Sequence, residues 1–103
     1  MSQLLLILYS REGCCICKGL EERLRNLSLS RMNPPLELRV IDIDAADTPK
    51  EICARYTLQV PVMMIARTDL KEIIELPRVS PRLNGEGLYQ WLQKLLINNF
   101  TLT

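Results

Sequence analysis

Short apolar runs alternate along the chain with stretches in which apolar residues recur every three or four positions, and this alternation predicts the elements. From Gln3 to Tyr9 the residues are nearly all Leu or Ile, as in a strand buried on both faces and so central in its sheet. Between Cys15 and about Leu27, a stripe of Ile16, Leu20, Leu24 and Leu27 faces away from Lys18, Glu21, Glu22 and Arg25. That pattern predicts an amphipathic helix, with Lys18–Glu22 and Glu21–Arg25 as i,i+4 ion pairs. Asn33-Pro34-Pro35 stops the helical region, and the alternation from Leu36 to Asp42 predicts a second strand, parallel to the first because a helix connects them. Thr48 and Glu51 are spaced as a capping box with Pro49 at the first helical position, so a short helix runs to about Tyr56 and buries Ile52, Cys53 and Tyr56. Beyond Val60-Pro61, Val62 to Ala66 and Lys71 to Leu76 form an antiparallel hairpin that turns at Thr68-Asp69 and is closed by Pro77. Asn84 then caps a last helix, with Leu83 and Leu88 placed as a hydrophobic staple and Leu88, Trp91, Leu92, Leu95 and Leu96 as its core stripe. The order βαβ, α, ββα predicts an α/β fold: a mixed four-stranded sheet flanked by helices, in one domain spanning 1–103.

Composition narrows what such a domain can do. With 103 residues, 48% of them hydrophobic, the chain can bury one core, and a second domain is not expected. Thirteen basic and 12 acidic side chains leave a formal charge of +1, which creates no field for nucleic acid or anionic lipid. The apolar run Leu4 to Leu8 is too short to span a membrane or serve as a signal peptide, and a cytoplasmic protein is expected. There are four cysteines and no histidine, and three of the cysteines fall within four positions. That crowding argues for functional thiols rather than disulfide staples.

The chemistry is expected in the segment Ser10-Arg11-Glu12-Gly13-Cys14-Cys15-Ile16-Cys17-Lys18, where the first strand ends and a helix begins. Cys14 and Cys17 form a C-x-x-C pair, a spacing that between a strand and a helix reads first as a redox dithiol. Together with Val60-Pro61 before the third strand and the order of elements, this segment resembles the thioredoxin superfamily, and within it the short bacterial glutaredoxin-like proteins. The resemblance covers nearly the whole chain. It implies a thioredoxin-like, glutaredoxin-type βαβ-α-ββα fold, with Val60-Pro61 as a cis peptide beside Cys14 where the backbone receives substrate. It also implies a basic residue at the position of Arg11, three before the first cysteine.

Cys14 would stand at the cap of the helix, facing unpaired N–H groups and the positive end of the dipole, both of which favour thiolate. An ordinary thiol is only ~3% ionised at pH 7, and raising that to ~90% takes roughly 3.4 kcal/mol, of which an exposed dipole supplies about 0.3 to 1. Direct N–H donors and a nearby cation must supply the rest, with Arg11 favoured over Lys18. Residues three apart on a first helical turn fall in the Cα window of a disulfide, so Cys14 is expected to pair with Cys17, with Cys15 a bystander or a spare and Cys53 a small core residue. The expected function is reduction of protein or glutathione mixed disulfides, with Cys14 and Cys17 catalytic and Arg11, Val60 and Pro61 binding substrate. No bound cofactor or metal is expected. Glutathione or another dithiol reductant would be the co-substrate, and the partners of a monomeric protein would be disulfide-containing proteins or low-molecular-weight thiols, not nucleic acid or membrane.

Other readings stay open: a Cys₄ metal or iron–sulfur site from Cys14, Cys15, Cys17 and Cys53, a cluster bridged between two chains by Cys14 and external thiols, and an interaction module without turnover. The chain also departs from the family pattern. Glutaredoxins follow the fourth strand with a Gly-Gly segment that holds glutathione, whereas here Leu76 to Gly85 carries no paired glycines but Arg78 and Arg82. Glutathione binding weaker than that of a typical glutaredoxin, and electrons from another dithiol reductase, are therefore expected.

Overall fold

The computed structural model describes residues 4–32, 35–67, 72–80 and 82–100. Within them the chain forms β1 (Leu4–Ser10), α1 (Cys15–Arg25), a single 3₁₀ turn at Leu29–Arg31, β2 (Leu36–Asp42), α2 (Lys50–Tyr56), β3 (Val62–Arg67), β4 (Glu72–Glu75) and α3 (Gly85–Phe100). Gln3, Asn33-Pro34, the turn at Thr68-Asp69 and Lys71 lie outside the described residues.

The sheet has the order β2-β1-β3-β4. β1 pairs in parallel with β2 and antiparallel with β3, which in turn pairs antiparallel with β4. β1 is thus interior, and all seven of its residues are buried. Alternation of side chains along the strand divides them between two cores. Leu4, Leu6 and Leu8 meet Leu20 and Leu24 of α1 and Leu88, Leu92 and Leu96 of α3. Leu5, Ile7 and Tyr9 face the other way, onto Ile43 and Tyr56. There the Tyr9 and Tyr56 rings stack with centroids 5.3 Å apart, and the Tyr56 hydroxyl donates to Glu75 Oε1 at 3.1 Å. The result is a three-layer α/β/α arrangement with α1 and α3 on one face and α2 on the other.

Local expectations differ from the structure at two helix starts. In α2, Thr48 makes no capping box, because its hydroxyl donates instead to the Asp42 carbonyl at 2.7 Å, and Pro49 is the residue that precedes the helix. In α1 the buried stripe is Cys17, Leu20 and Leu24, while Ile16 is exposed. Starting at Cys15, the helix turns position 16 roughly 100° away from position 17. Of the two predicted ion pairs, Arg25 reaches Glu21 at 2.9 Å, and no ion pair joins Lys18 to Glu22 among the described residues. The 3₁₀ turn is not foreseen by the sequence pattern, although its first residue, Leu29, and the Met32 that follows it are both buried.

α3 begins as its sequence predicts, with Asn84 Oδ1 accepting the Gly87 N–H at 2.8 Å. An Arg23 guanidinium N–H donates to the Leu83 carbonyl and so ties α1 to the approach to α3. Asn84→Ala is expected to lower stability by about 1 kcal/mol through loss of this cap. Leu92→Ala, at a fully buried position, should cost about 2–5 kcal/mol, and urea unfolding of the two variants beside the parent chain measures both effects.

Candidate functional site

The site grows from the end of β1. Ser10 closes the strand, and the chain turns so that the Cys14 N–H donates to the Arg11 carbonyl at 3.2 Å. Gly13 occupies this turn with φ +85°, a conformation other residues resist, and a Cβ there would meet open space. Its role is therefore conformational. The turn places Cys14 at the N-cap of α1 in extended backbone geometry, where its Sγ accepts the Cys17 N–H at 3.1 Å. Cys14 and Cys17 are joined as a disulfide with Cα atoms 5.2 Å apart. The two sulfurs are unequally placed: Cys14 is half-buried, whereas Cys17, one turn into the helix, has 0% exposure. Cys15 is a free, exposed thiol.

Beside the disulfide lies a cleft of about 570 Å³ whose walls include Arg11, Glu12, Cys14, Cys15, Lys18 and Asp42. Val60 and Pro61 do not line it. The Val60–Pro61 peptide is cis, and Pro61 borders a separate cleft of about 190 Å³ together with Met63, Leu76, Pro77 and Arg78. Register relates the two regions: Tyr9 lies opposite Val62, so the chain leaving β1 toward Cys14 and the chain entering β3 from Pro61 meet at one end of the sheet.

The Arg11 guanidinium is engaged by Asp44 and Thr57. Its Nε and Nη2 donate to the two Asp44 carboxylate oxygens at 2.7 and 3.0 Å, and its Nη1 and Nη2 donate to the Thr57 carbonyl and hydroxyl at 2.8 and 2.7 Å. The fork matches a carboxylate in the bidentate manner that guanidinium favours. Lys18 lines the same cleft as Cys14 with an exposed side chain. Cys53 is half-buried against the Tyr9–Tyr56 core, and its thiol donates to Asp44 Oδ1 at 3.5 Å. It therefore belongs with the Arg11–Asp44 pair as much as with the core. Among the described residues no group of three or more Cys, Asp or Glu side chains is gathered as a metal ion would require.

The partners of Arg11 were missed from the sequence because they lie 33 and 46 residues away, with no local pattern to reveal them. The burial of Cys17 did have a signal, since Cys17, Leu20 and Leu24 stand at i, i+3 and i+7.

A four-stranded mixed sheet between helices, with a C-x-x-C disulfide where the first strand hands over to the first helix, defines the thioredoxin fold. Solved structures agree. The chain is similar to a thioredoxin from Thermus thermophilus at TM-score 0.66 and 14% identity, covering 95% of this chain and 77% of that one. It is similar also to the first thioredoxin domain of mouse protein disulfide-isomerase A4, at TM-score 0.63 and 13% identity over 98% and 69% of the two chains. A disulphide isomerase from Xylella fastidiosa follows at TM-score 0.60 and 19% identity over 90% and 78%. At these identities the likeness is one of fold. No curated protein matches the chain. The family model of the glutaredoxin-like domain (DUF836) matches residues 5–93, and the chain belongs to that family.

The Asp44 carboxyl is held below its usual range, first by the Arg11 hydrogen bond, with burial acting the other way and the Cys53 thiol adding to the lowering. A carboxyl lowered on folding contributes stability at every pH above its unfolded value of about 3.9 and loses it as pH falls through the folded value. Asp44→Asn should therefore unfold at lower urea than the parent chain at pH 7. The difference should close on descending below about pH 4, as urea midpoints across that range will show.

Proposed function

We propose that the protein is a thiol-disulfide oxidoreductase that reduces disulfides through Cys14 and Cys17. The observation that carries this reading is the asymmetric disulfide: one sulfur half-exposed at a helix N-cap, its partner fully buried one turn in. The Cys17 N–H directed at Cys14 Sγ is the kind of donor that stabilises a thiolate there once the disulfide is reduced. Lys18, on the cleft wall with Cys14, is the better placed cation, since Arg11 is neutralised by Asp44.

In the reduced protein, the Cys14 thiolate attacks one sulfur of the substrate disulfide. A Cys14–substrate disulfide forms, and the other substrate sulfur leaves as a thiolate that takes a proton. Cys17, as thiolate, then attacks Cys14 Sγ, releasing the second substrate sulfur as thiol and closing the Cys14–Cys17 disulfide. Two electrons have passed to the substrate, and an external thiol reductant returns them. The backbone at Val60–Pro61, at the same end of the sheet, would receive the extended substrate chain by strand-like pairing. Disulfide-containing proteins or low-molecular-weight thiols are the substrates. The segment after β4 offers Arg78 on its cleft but no paired glycines, which supports glutathione binding weaker than in a typical glutaredoxin and another dithiol reductase as donor. The site of action in this proposal is the cytoplasm. Among the described residues no helix is long and apolar enough to cross a membrane.

Cys14→Ser should abolish reduction of a peptide disulfide, Cys17→Ser should accumulate a mixed disulfide on Cys14, and Cys15→Ser should keep most activity. Mass spectrometry of the trapped adduct decides the assignment, and an adduct on Cys15 would reverse it. Turnover with glutathione and glutathione reductase, set against a thioredoxin reductase system, identifies the donor. Saturable turnover at low millimolar glutathione would contradict the weak-binding reading.

A further inference from the structure

Three segments remote in sequence converge on one guanidinium. Arg11 lies in the turn that carries the dithiol, and its own carbonyl accepts the Cys14 N–H. All three nitrogens of its side chain donate hydrogen bonds, two to Asp44 in the loop after β2 and two to Thr57 just past α2. Each partner is itself held. The Asp44 N–H donates to Asp42 Oδ1 at 2.9 Å. Thr57 sits in a turn closed by the Gln59 and Val60 N–H groups on the Tyr56 carbonyl, at 2.9 and 3.2 Å, and that turn runs directly into Val60–Pro61.

We propose that Arg11 is a positioning residue of the dithiol site: its guanidinium, spanning Asp44 and Thr57, fixes the Cys14 turn relative to the turn that delivers Val60–Pro61. The proposal rests on the disulfide-exchange reading and adds to it what aligns the two chain segments that flank a substrate. Attack on a disulfide requires the thiolate, the attacked sulfur and the departing sulfur to be aligned, so a displacement of about 1 Å between these segments is enough to slow it severely. The planar fork is the feature that matters. A lysine keeps the charge but, as a compact ammonium, cannot hold a carboxylate in bidentate fashion while also reaching a carbonyl and a hydroxyl in its plane.

An electrostatic role on Cys14 and a positioning role make opposite predictions for Arg11→Lys. The experiment compares the parent chain with Arg11→Lys, Arg11→Met and Thr57→Val, the last removing one hydroxyl and leaving the Thr57 carbonyl in place. Three quantities are read: kcat/KM for a peptide disulfide, the pH midpoint of Cys14 alkylation by iodoacetamide located by mass spectrometry, and amide hydrogen exchange at Gln59 and Val60. Positioning predicts that Arg11→Lys loses about tenfold in kcat/KM, close to the loss in Arg11→Met, with a smaller loss in Thr57→Val. The alkylation midpoint stays at the parent value in all three, and exchange at Gln59 and Val60 accelerates in both Arg11 variants. Parent-like turnover in Arg11→Lys, or an alkylation midpoint that rises in Arg11→Met and is restored in Arg11→Lys, would overturn the proposal in favour of a charge effect. Unchanged exchange at Gln59 and Val60 would also overturn it. If the parent chain itself reduces no disulfide, the functional reading fails, while the exchange measurement still decides whether Arg11 holds the two turns together.

Discussion

The structure depends on a strand that has no polar face. Because every residue of β1 from Leu4 to Ser10 is buried, the sheet cannot leave either side to water, and helices must cover both. That requirement dictates where everything else goes. α1 and α3 cover Leu4, Leu6 and Leu8, while α2 and the Tyr56 ring cover Leu5, Ile7 and Tyr9. The same strand ends in the turn that presents Cys14, so the end of the molecule that carries the disulfide is anchored to its most buried element.

How far the sequence is legible follows from the range of the interactions concerned. β1, β2 and the stripe of α3 are governed by periodic patterns within one segment, and they lie where those patterns place them: Leu36–Asp42 agrees at both ends, and Leu88, Leu92 and Leu96 are all fully buried. The dithiol is legible for the same reason, since helix geometry alone brings positions three apart together. Errors arise where two local solutions compete. Thr48 could cap α2 or bond back to Asp42, and it does the latter. Ile16 and Cys17 stand four and three positions before Leu20, so both fit the spacing of Leu20 and Leu24, and the pattern alone does not say which edge of the stripe the core covers. The partners of Arg11 were beyond reach altogether. A basic residue ahead of the cysteines suggested a cation for Cys14, but the carboxylate that claims it is brought near only when the loop after β2 and the end of α2 are laid side by side by the sheet.

The free thiols divide along similar lines. Cys15 faces solvent beside the disulfide, whereas Cys53 lies against the core with its thiol on Asp44. Four cysteines in one small chain therefore occupy four different environments, and only the pair at the start of α1 combines proximity with a contrast in access.

The edges of the sheet carry a consequence for how the molecule meets other chains. β2 forms one edge with exposed Glu37 and Arg39, and β4 forms the other with only four residues, including exposed Glu72 and Glu75, and a proline two positions after its end. Charged side chains, a short edge strand and a nearby proline all discourage a foreign strand from extending a sheet. The molecule is thereby guarded on both flanks against being recruited into an intermolecular sheet, and lasting association along those flanks is disfavoured.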